Sequence, residues 1–167
     1  EQCPVGTISD LDGATSCSLC ASGTVAPNVA STACIDCVPG TAQGGTGQGS
    51  CDDRPIGSKA PEYQSKACEL CDAGTKAPST NSLSCIDCKP GRFQGGTGQG
   101  TCEDCAIGSI APNAKETSCT RCAAGTYAPD TMSTACIDCD PGTSQGGTGQ
   151  GGCDDCLAGT IALEKGS

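Results

Sequence analysis

Apolar residues in this chain come singly or in pairs and never settle into a helical rhythm. The clearest of them follow a Gly-Thr step, as Ile8, Val25, Tyr127 and Ile161 do. No window sustains a 3.6-residue period, so the pattern predicts almost no helix. The step after Gly-Thr instead predicts a short strand. Ala-Pro pairs at Ala26-Pro27, Ala60-Pro61, Ala77-Pro78, Ala111-Pro112 and Ala128-Pro129 are expected to end such strands, because Pro cannot donate to a ladder.

These steps recur because the chain is a tandem repeat. From Pro4 it divides without a gap into 17-residue units, each ending in CxxC or a close variant. The first is PVGTISDLDGATSCSLC (Pro4 to Cys20) and the second ASGTVAPNVASTACIDC (Ala21 to Cys37). Units three apart match best. IDC closes the second, fifth and eighth (Ile35, Ile86, Ile137), and QGGTGQG fills the third, sixth and ninth, from Gln43, Gln94 and Gln145. The superrepeat is therefore 51 residues, giving stretches 1–54, 55–105 and 106–156, with 157–167 beginning a further unit. The third residue of every unit is Gly, which predicts a turn of positive φ or a close backbone approach.

Composition changes the picture of what holds such units together. The chain has six Leu, eight Ile, four Val and one Phe in 167 residues, too few for a conventional core, and no Trp. Apolar content this low with substantial net charge would ordinarily indicate disorder. The 18 Cys point elsewhere, to a scaffold in which covalent links replace burial and which persists in an oxidising, extracellular setting. No apolar run of spanning length or lipidation motif is visible, and no membrane contact is expected within this sequence. The opening Glu1-Gln2-Cys3, part-way through a CxxC, gives the chain the look of a window in a longer array. The net charge of −10 disfavours nucleic acid, whose affinity comes largely from Lys and Arg on phosphates.

QGGTGQG invites comparison with phosphate-cradling loops. A dinucleotide fingerprint requires GxGxxG between a strand and a helix. Only the third copy has that spacing, through Gly147, Gly149 and Gly152; Ser50 and Thr101 occupy the last position in the other two. No helix former follows, and no GK[ST] is present, so the motif reads as a turn in the scaffold.

The cysteines admit zinc or disulfides. With no His and a strict 17-residue period, disulfides are the better reading. One connectivity is a ladder: Cys3–Cys17, Cys20–Cys34, Cys37–Cys51, Cys71–Cys85, Cys88–Cys102, Cys105–Cys119, Cys122–Cys136 and Cys139–Cys153. A crossed pattern such as Cys17–Cys34 with Cys20–Cys37 fits the same spacing. Each ladder bond would close a loop of about 15 residues, worth roughly 3 kcal/mol in the chain-entropy treatment. Arg54 stands where the period demands Cys. Its presence strands Cys68 in the ladder, or Cys71 or Cys37 in crossed patterns, and Cys156 is expected to pair beyond the sequence. An orphan thiol marks either an intermolecular disulfide or drift in a redundant repeat, and drift is the favoured reading.

The segment CPVGTISDLDGATSCSLC (Cys3 to Cys20) resembles the CPxGTY…CxxC unit of ephrin-receptor-like and tumour-necrosis-factor-receptor-like cysteine-rich repeats. In the receptor family the Cys before PxG pairs with the first Cys of the next CxxC, so the resemblance implies the ladder. Tandem arrays of such units are also similar to surface antigens of ciliates and to large extracellular proteins of other protists. The chain departs from the family pattern in its aromatics, present only at Tyr127 after Gly-Thr and at Phe93 after Gly-Arg.

No catalytic set emerges, and without His no Ser-His-Asp or Cys-His arrangement exists. Adjacent acids at Asp52-Asp53, Glu103-Asp104 and Asp154-Asp155, with Asp36, Asp87 and Asp138 one unit earlier, are candidates for calcium, although solvated acids are the simpler reading. All three Asn (Asn28, Asn81, Asn113) miss N-x-[ST]. O-linked glycans suit the abundant hydroxyls, with Thr24, Thr41, Thr46, Thr75, Thr97, Thr126, Thr143 and Thr148 as candidates.

The expected fold is small, disulfide-rich and mostly irregular, with short β-strands and hairpins arranged as an elongated tandem-repeat solenoid. The expected function is non-enzymatic: a self-associating segment of an extracellular coat or filament, with no cofactor. The rival is a receptor-like or adhesin ectodomain binding a protein or glycan, with Arg54, Tyr63, Arg92 and Phe93 as the irregular residues where a site would lie.

Overall fold

The computed structural model describes residues 2–11, 13–163 and 166. Among them there is no helix; every complete unit folds as one antiparallel hairpin of two-residue strands. β1 (Thr7–Ile8) pairs with β2 (Ser18–Leu19), β3 (Thr24–Val25) with β4 (Ile35–Asp36), β5 (Thr41–Ala42) with β6 (Asp52–Asp53), and β7 (Ser58–Lys59) with β8 (Glu69–Leu70). The series continues as β9 (Thr75–Lys76) with β10 (Ile86–Asp87), β11 (Arg92–Phe93) with β12 (Glu103–Asp104), and β13 (Ser109–Ile110) with β14 (Thr120–Arg121). It closes with β15 (Thr126–Tyr127) on β16 (Ile137–Asp138) and β17 (Thr143–Ser144) on β18 (Asp154–Asp155). The first strand of each hairpin is the step after the unit's third-place Gly. The second is the interior of CxxC.

Two-residue strands carry too few ladder bonds to stand alone. Disulfides close every hairpin except β7 with β8: Cys3–Cys17, Cys20–Cys34, Cys37–Cys51, Cys71–Cys85, Cys88–Cys102, Cys105–Cys119, Cys122–Cys136 and Cys139–Cys153, each spanning 14 residues. The hydroxyl after the Gly tightens the same turn by donating to the carbonyl three residues back, as from Thr7 to Pro4 at 2.7 Å and from Ser58 to Pro55 at 2.8 Å. The core consists of sulfur and methyl groups. Cys20, Cys37, Cys71, Cys88, Cys105 and Cys139 are fully buried, together with Ala26, Ala77, Ala111 and Ala128 of the Ala-Pro pairs. Large apolar side chains such as Leu19, Ile35 and Ile86 remain outside.

The chain forms two compact units that interleave in sequence. One takes the chain up to Cys71 with Ala77–Cys85 and Gly98–Gly100; the other takes Asp72–Lys76, Ile86–Thr97 and the chain from Thr101. The 51-residue superrepeat runs through both without matching their boundaries. Within the first, three backbone hydrogen bonds recur. The N–H of Gly40 donates to the Ala60 carbonyl in the next repeat, Gln43 to Ser65, and Gln64 back to Cys37, at 2.9–3.0 Å. The second repeats the set: Gly91 to Ala111, Gln94 to Glu116, and Lys115 to Cys88, at 2.8–3.0 Å. Each repeat is thereby bonded to the next and to the next but one.

That packing explains the third-place Gly of the units from Gly6 to Gly125, whereas at Gly142 and Gly159 only the positive φ calls for glycine. Gly40 has φ of +94°, and a β-carbon there would lie 2.8 Å from the carbonyl oxygen of Asn81, two repeats on. Side chains are excluded both by conformation and by the neighbouring backbone.

Candidate functional site

The glycine loops and the Arg54 position are the two places where the repeat acquires distinctive chemistry. In the loops, Gln43, Gln94 and Gln145 occupy the place that Ala fills in the Ala-Pro units. Each side-chain amide braces its own loop. Gln94 donates from Nε2 to the Thr101 carbonyl at 2.7 Å and accepts at Oε1 from the Gly96 N–H at 2.9 Å. Gln43 makes the same pair with Ser50 and Gly45, and Gln145 with Gly152 and Gly147. The amide thus satisfies backbone groups that a glycine-rich turn would leave unpaired. The motif is a Gln-braced turn.

The same loops set the 51-residue period. A β-carbon at Gly49 would overlap Val5, one at Gly100 would overlap Ile56, and one at Gly151 would overlap Ile107. The branched side chain near the start of the first unit therefore needs glycine in the third, because repeats two apart touch. A second pairing follows the same offset. Asp36 accepts from Gln64 at 3.0 Å, Asp53 from Asn81 at 3.0 Å, and Asp87 faces Lys115 at 3.4 Å. Where the acid is replaced by Leu19 or Leu70, the partner is Gly47 or Gly98. Asp104 is engaged within its own hairpin by Arg92 at 2.8 Å.

These pairs bear on the calcium candidates, since Asp36, Asp53, Asp87 and Asp104 already face amide or cationic donors. Asp52 and Asp53 are neighbours on one two-residue strand, as are Glu103-Asp104 and Asp154-Asp155, so each pair splits between opposite sides of its hairpin. Among the described residues, no three or more His, Cys, Asp or Glu converge as a metal site.

Arg54 occupies the place of a buried half-cystine. Its side chain is wholly buried, donating from Nη1 to the Lys59 carbonyl at 2.6 Å and from Nη2 to the Ala67 carbonyl at 2.7 Å. Nε is buried without a partner. The Arg54 N–H turns to the Asn81 side-chain oxygen at 2.8 Å, whereas Cys37 and Cys71 donate theirs to Gly23 and Gly57. Cys68 is left as an exposed free thiol, and Cys156 is a half-buried one. Arg54 therefore clasps the hairpin non-covalently where the period would place a disulfide to Cys68. The break in the period marks the substitution in sequence, but nothing in sequence indicates that a charged side chain takes the buried place.

The threonines divide into two groups. Thr24, Thr41, Thr75, Thr126 and Thr143 donate their hydroxyls to carbonyls three residues back, and Thr75 is buried at 8 % exposure, which corrects the expectation that it is a surface acceptor. Thr46, Thr97 and Thr148 stand exposed in the glycine loops. Of the irregular residues, Tyr63 is exposed, and Arg92 and Phe93 are half-buried. Phe93 lines a shallow open depression with Ile107, Ser118, Arg121, Thr148 and Gly149.

Residues 91–135 match a family model described as tyrosine-protein kinase ephrin type A/B receptor-like. The matched stretch contains both Phe93 and Tyr127. Together with the eight regularly spaced disulfides, the match supports cysteine-rich repeats. No curated protein matches the chain significantly. Among the described residues, no helix is long and apolar enough to cross a membrane.

Proposed function

We propose that this chain is a segment of an extracellular structural array, a surface coat or fibrous filament of the kind found on protists, assembled from disulfide-laddered repeats. The observation that carries the reading is the recurrence of one bonding set from repeat to repeat. Gly40 to Ala60 and Gly91 to Ala111 are the same contact at 51-residue spacing, as are Gln64 to Cys37 and Lys115 to Cys88. A bonding set that every repeat offers and accepts supports length without a growing core. Disulfides in nearly every hairpin support an extracellular setting, where they persist without reductant. The reading is non-enzymatic and needs no cofactor, and it is supported by the lack of His in the sequence. Lateral self-association is its partner chemistry, because identical surfaces recur at fixed intervals and heterologous contacts that do not close yield filaments. Thr46, Thr97 and Thr148 are the acceptors we assign to O-linked glycans, since their hydroxyls lie in exposed, side-chain-poor loops.

Sedimentation of the oxidised chain over a wide concentration range tests this reading. Growth of larger species with concentration supports it, and a strictly monomeric chain at the highest concentration contradicts it.

The second reading, a receptor-like or adhesin ectodomain, is favoured by the family match over residues 91–135 and by the Phe93 depression within them. Loss of glycan or protein capture by a Phe93→Ala chain that still folds would give that reading priority.

A further inference from the structure

The disulfides determine which parts of the chain can lengthen. In a bridged hairpin, tension passes from one half-cystine to the other across the sulfur bond. Cys20 and Cys34 have Cα atoms 5.7 Å apart, and the residues between them are shielded from the pull. Only the two residues inside CxxC separate one bridge from the next. The arrangement repeats at 5.7–5.8 Å along both compact units.

Between Cys51 and Cys71 this protection is interrupted. Cys51 is bonded backwards to Cys37 and Cys71 forwards to Cys85, so the backbone joining them carries the whole tension. The hairpin in this interval, β7 with β8, is closed only by non-covalent contacts. Arg54 ties the Lys59 and Ala67 carbonyls, Cys71 donates to Gly57, and Lys59 faces Glu69 at 3.4 Å on the surface. The surface pair adds little. The buried guanidinium is the one link that stands in the bridge's place.

We propose that the Arg54-clasped hairpin between Cys51 and Cys71 is a force-extensible link in an otherwise covalently locked array. Under tension it opens as a local unit while the bridged hairpins on either side stay closed. Its twenty residue steps reach about 70 Å when drawn out, at roughly 3.3–3.6 Å each. A bridged hairpin gains none of its shielded loop. The inference rests on the structural reading above and extends it to an array that bears tension. Its test is made on the isolated chain, so failure of assembly leaves the force trace unchanged, and failure of the trace leaves assembly intact.

The experiment is single-molecule stretching of the oxidised chain, with handles attached at Gln2 and Leu157 by chemistry that does not use thiols. The wild-type chain is expected to show one step, shorter than the contour of about 70 Å by the folded span of the unbridged interval. An Arg54→Cys chain, refolded with oxidised glutathione and shown by thiol titration to have lost the Cys68 thiol, is expected to lack that step and keep every other feature. Arg54→Met is expected to keep the step and open at lower force, since the two carbonyls lose their donor. A wild-type trace without the step, or an Arg54→Cys trace that retains it, overturns the proposal. An unchanged opening force in Arg54→Met removes Arg54 from the role of clasp.

Discussion

The carbonyl of Asn81 sits over the α-carbon of Gly40, 2.8 Å from where a β-carbon would be, although 41 residues separate them in sequence. The contact depends on two unusual backbones, since Gly40 has φ of +94° and Asn81 has φ of +58°. Ala30, Gln64, Lys115 and Met132 take the same left-handed conformation in their own units, and Gly47, Gly98 and Gly149 take it in the glycine loops. Stacking of repeats is thus written in backbone geometry more than in side-chain volume.

Gly40→Ala should therefore destabilise the first compact unit by more than the roughly 1–2 kcal/mol of left-handed strain alone, because the Asn81 backbone must also move. Gly142→Ala should cost only the strain, since no neighbouring atom lies within 4 Å of the added carbon. Denaturant unfolding of the oxidised chains gives both values. Equal losses would remove the packing argument.

Gln94→Ala takes two hydrogen bonds from its loop, leaving the Gly96 N–H and the Thr101 carbonyl without their partner. A loss of about 1–3 kcal/mol is expected for groups left unsatisfied in this way. Hydrogen exchange at Gly96 should quicken in the variant while exchange at Gly45, in the loop braced by Gln43, stays unchanged.

Asp87→Ala removes the pairing with Lys115, whose side chain is 61 % exposed. Solvent screens such a pair, so a change below about 1 kcal/mol is expected. A larger loss in the same denaturant assay would mean that this 28-residue offset fixes register energetically as well as geometrically.

Glycan mapping of the native protein should find sugar on Thr46, Thr97 and Thr148 and none on Thr75, whose hydroxyl is buried and donates to Asp72. Bare loop peptides would remove glycosylation from the account.

Much of this fold was legible because it repeats. The 17-residue period, the turn at each third-place Gly and the near absence of helix follow from spacing and from apolar residues too sparse to build a core. The first strand of each hairpin was visible in steps such as Thr24–Val25. Its partner, Ile35–Asp36, was hidden because a two-residue strand inside CxxC carries no alternation to read. The brace supplied by Gln94 could have been found from the recurrence of Gln43, Gln94 and Gln145 at the place of an otherwise buried Ala. The left-handed conformation of Met132 could not, since nothing in a Met residue announces it; only the glycines at the equivalent places in other units hint at it. Arg54 was visible as a break in the period, but its burial depends on two carbonyls, of Lys59 and Ala67, that only the folded hairpin brings together.

The measurement that bears most directly on the structural reading is negative-stain electron microscopy of the native, non-reduced source material, before and after a reductant is added. The account predicts extended, uniform fibres or a continuous coat that lose their order once the disulfides are reduced. Dispersed short particles, unchanged in distribution by reductant, would contradict it and leave the receptor-like reading in its place.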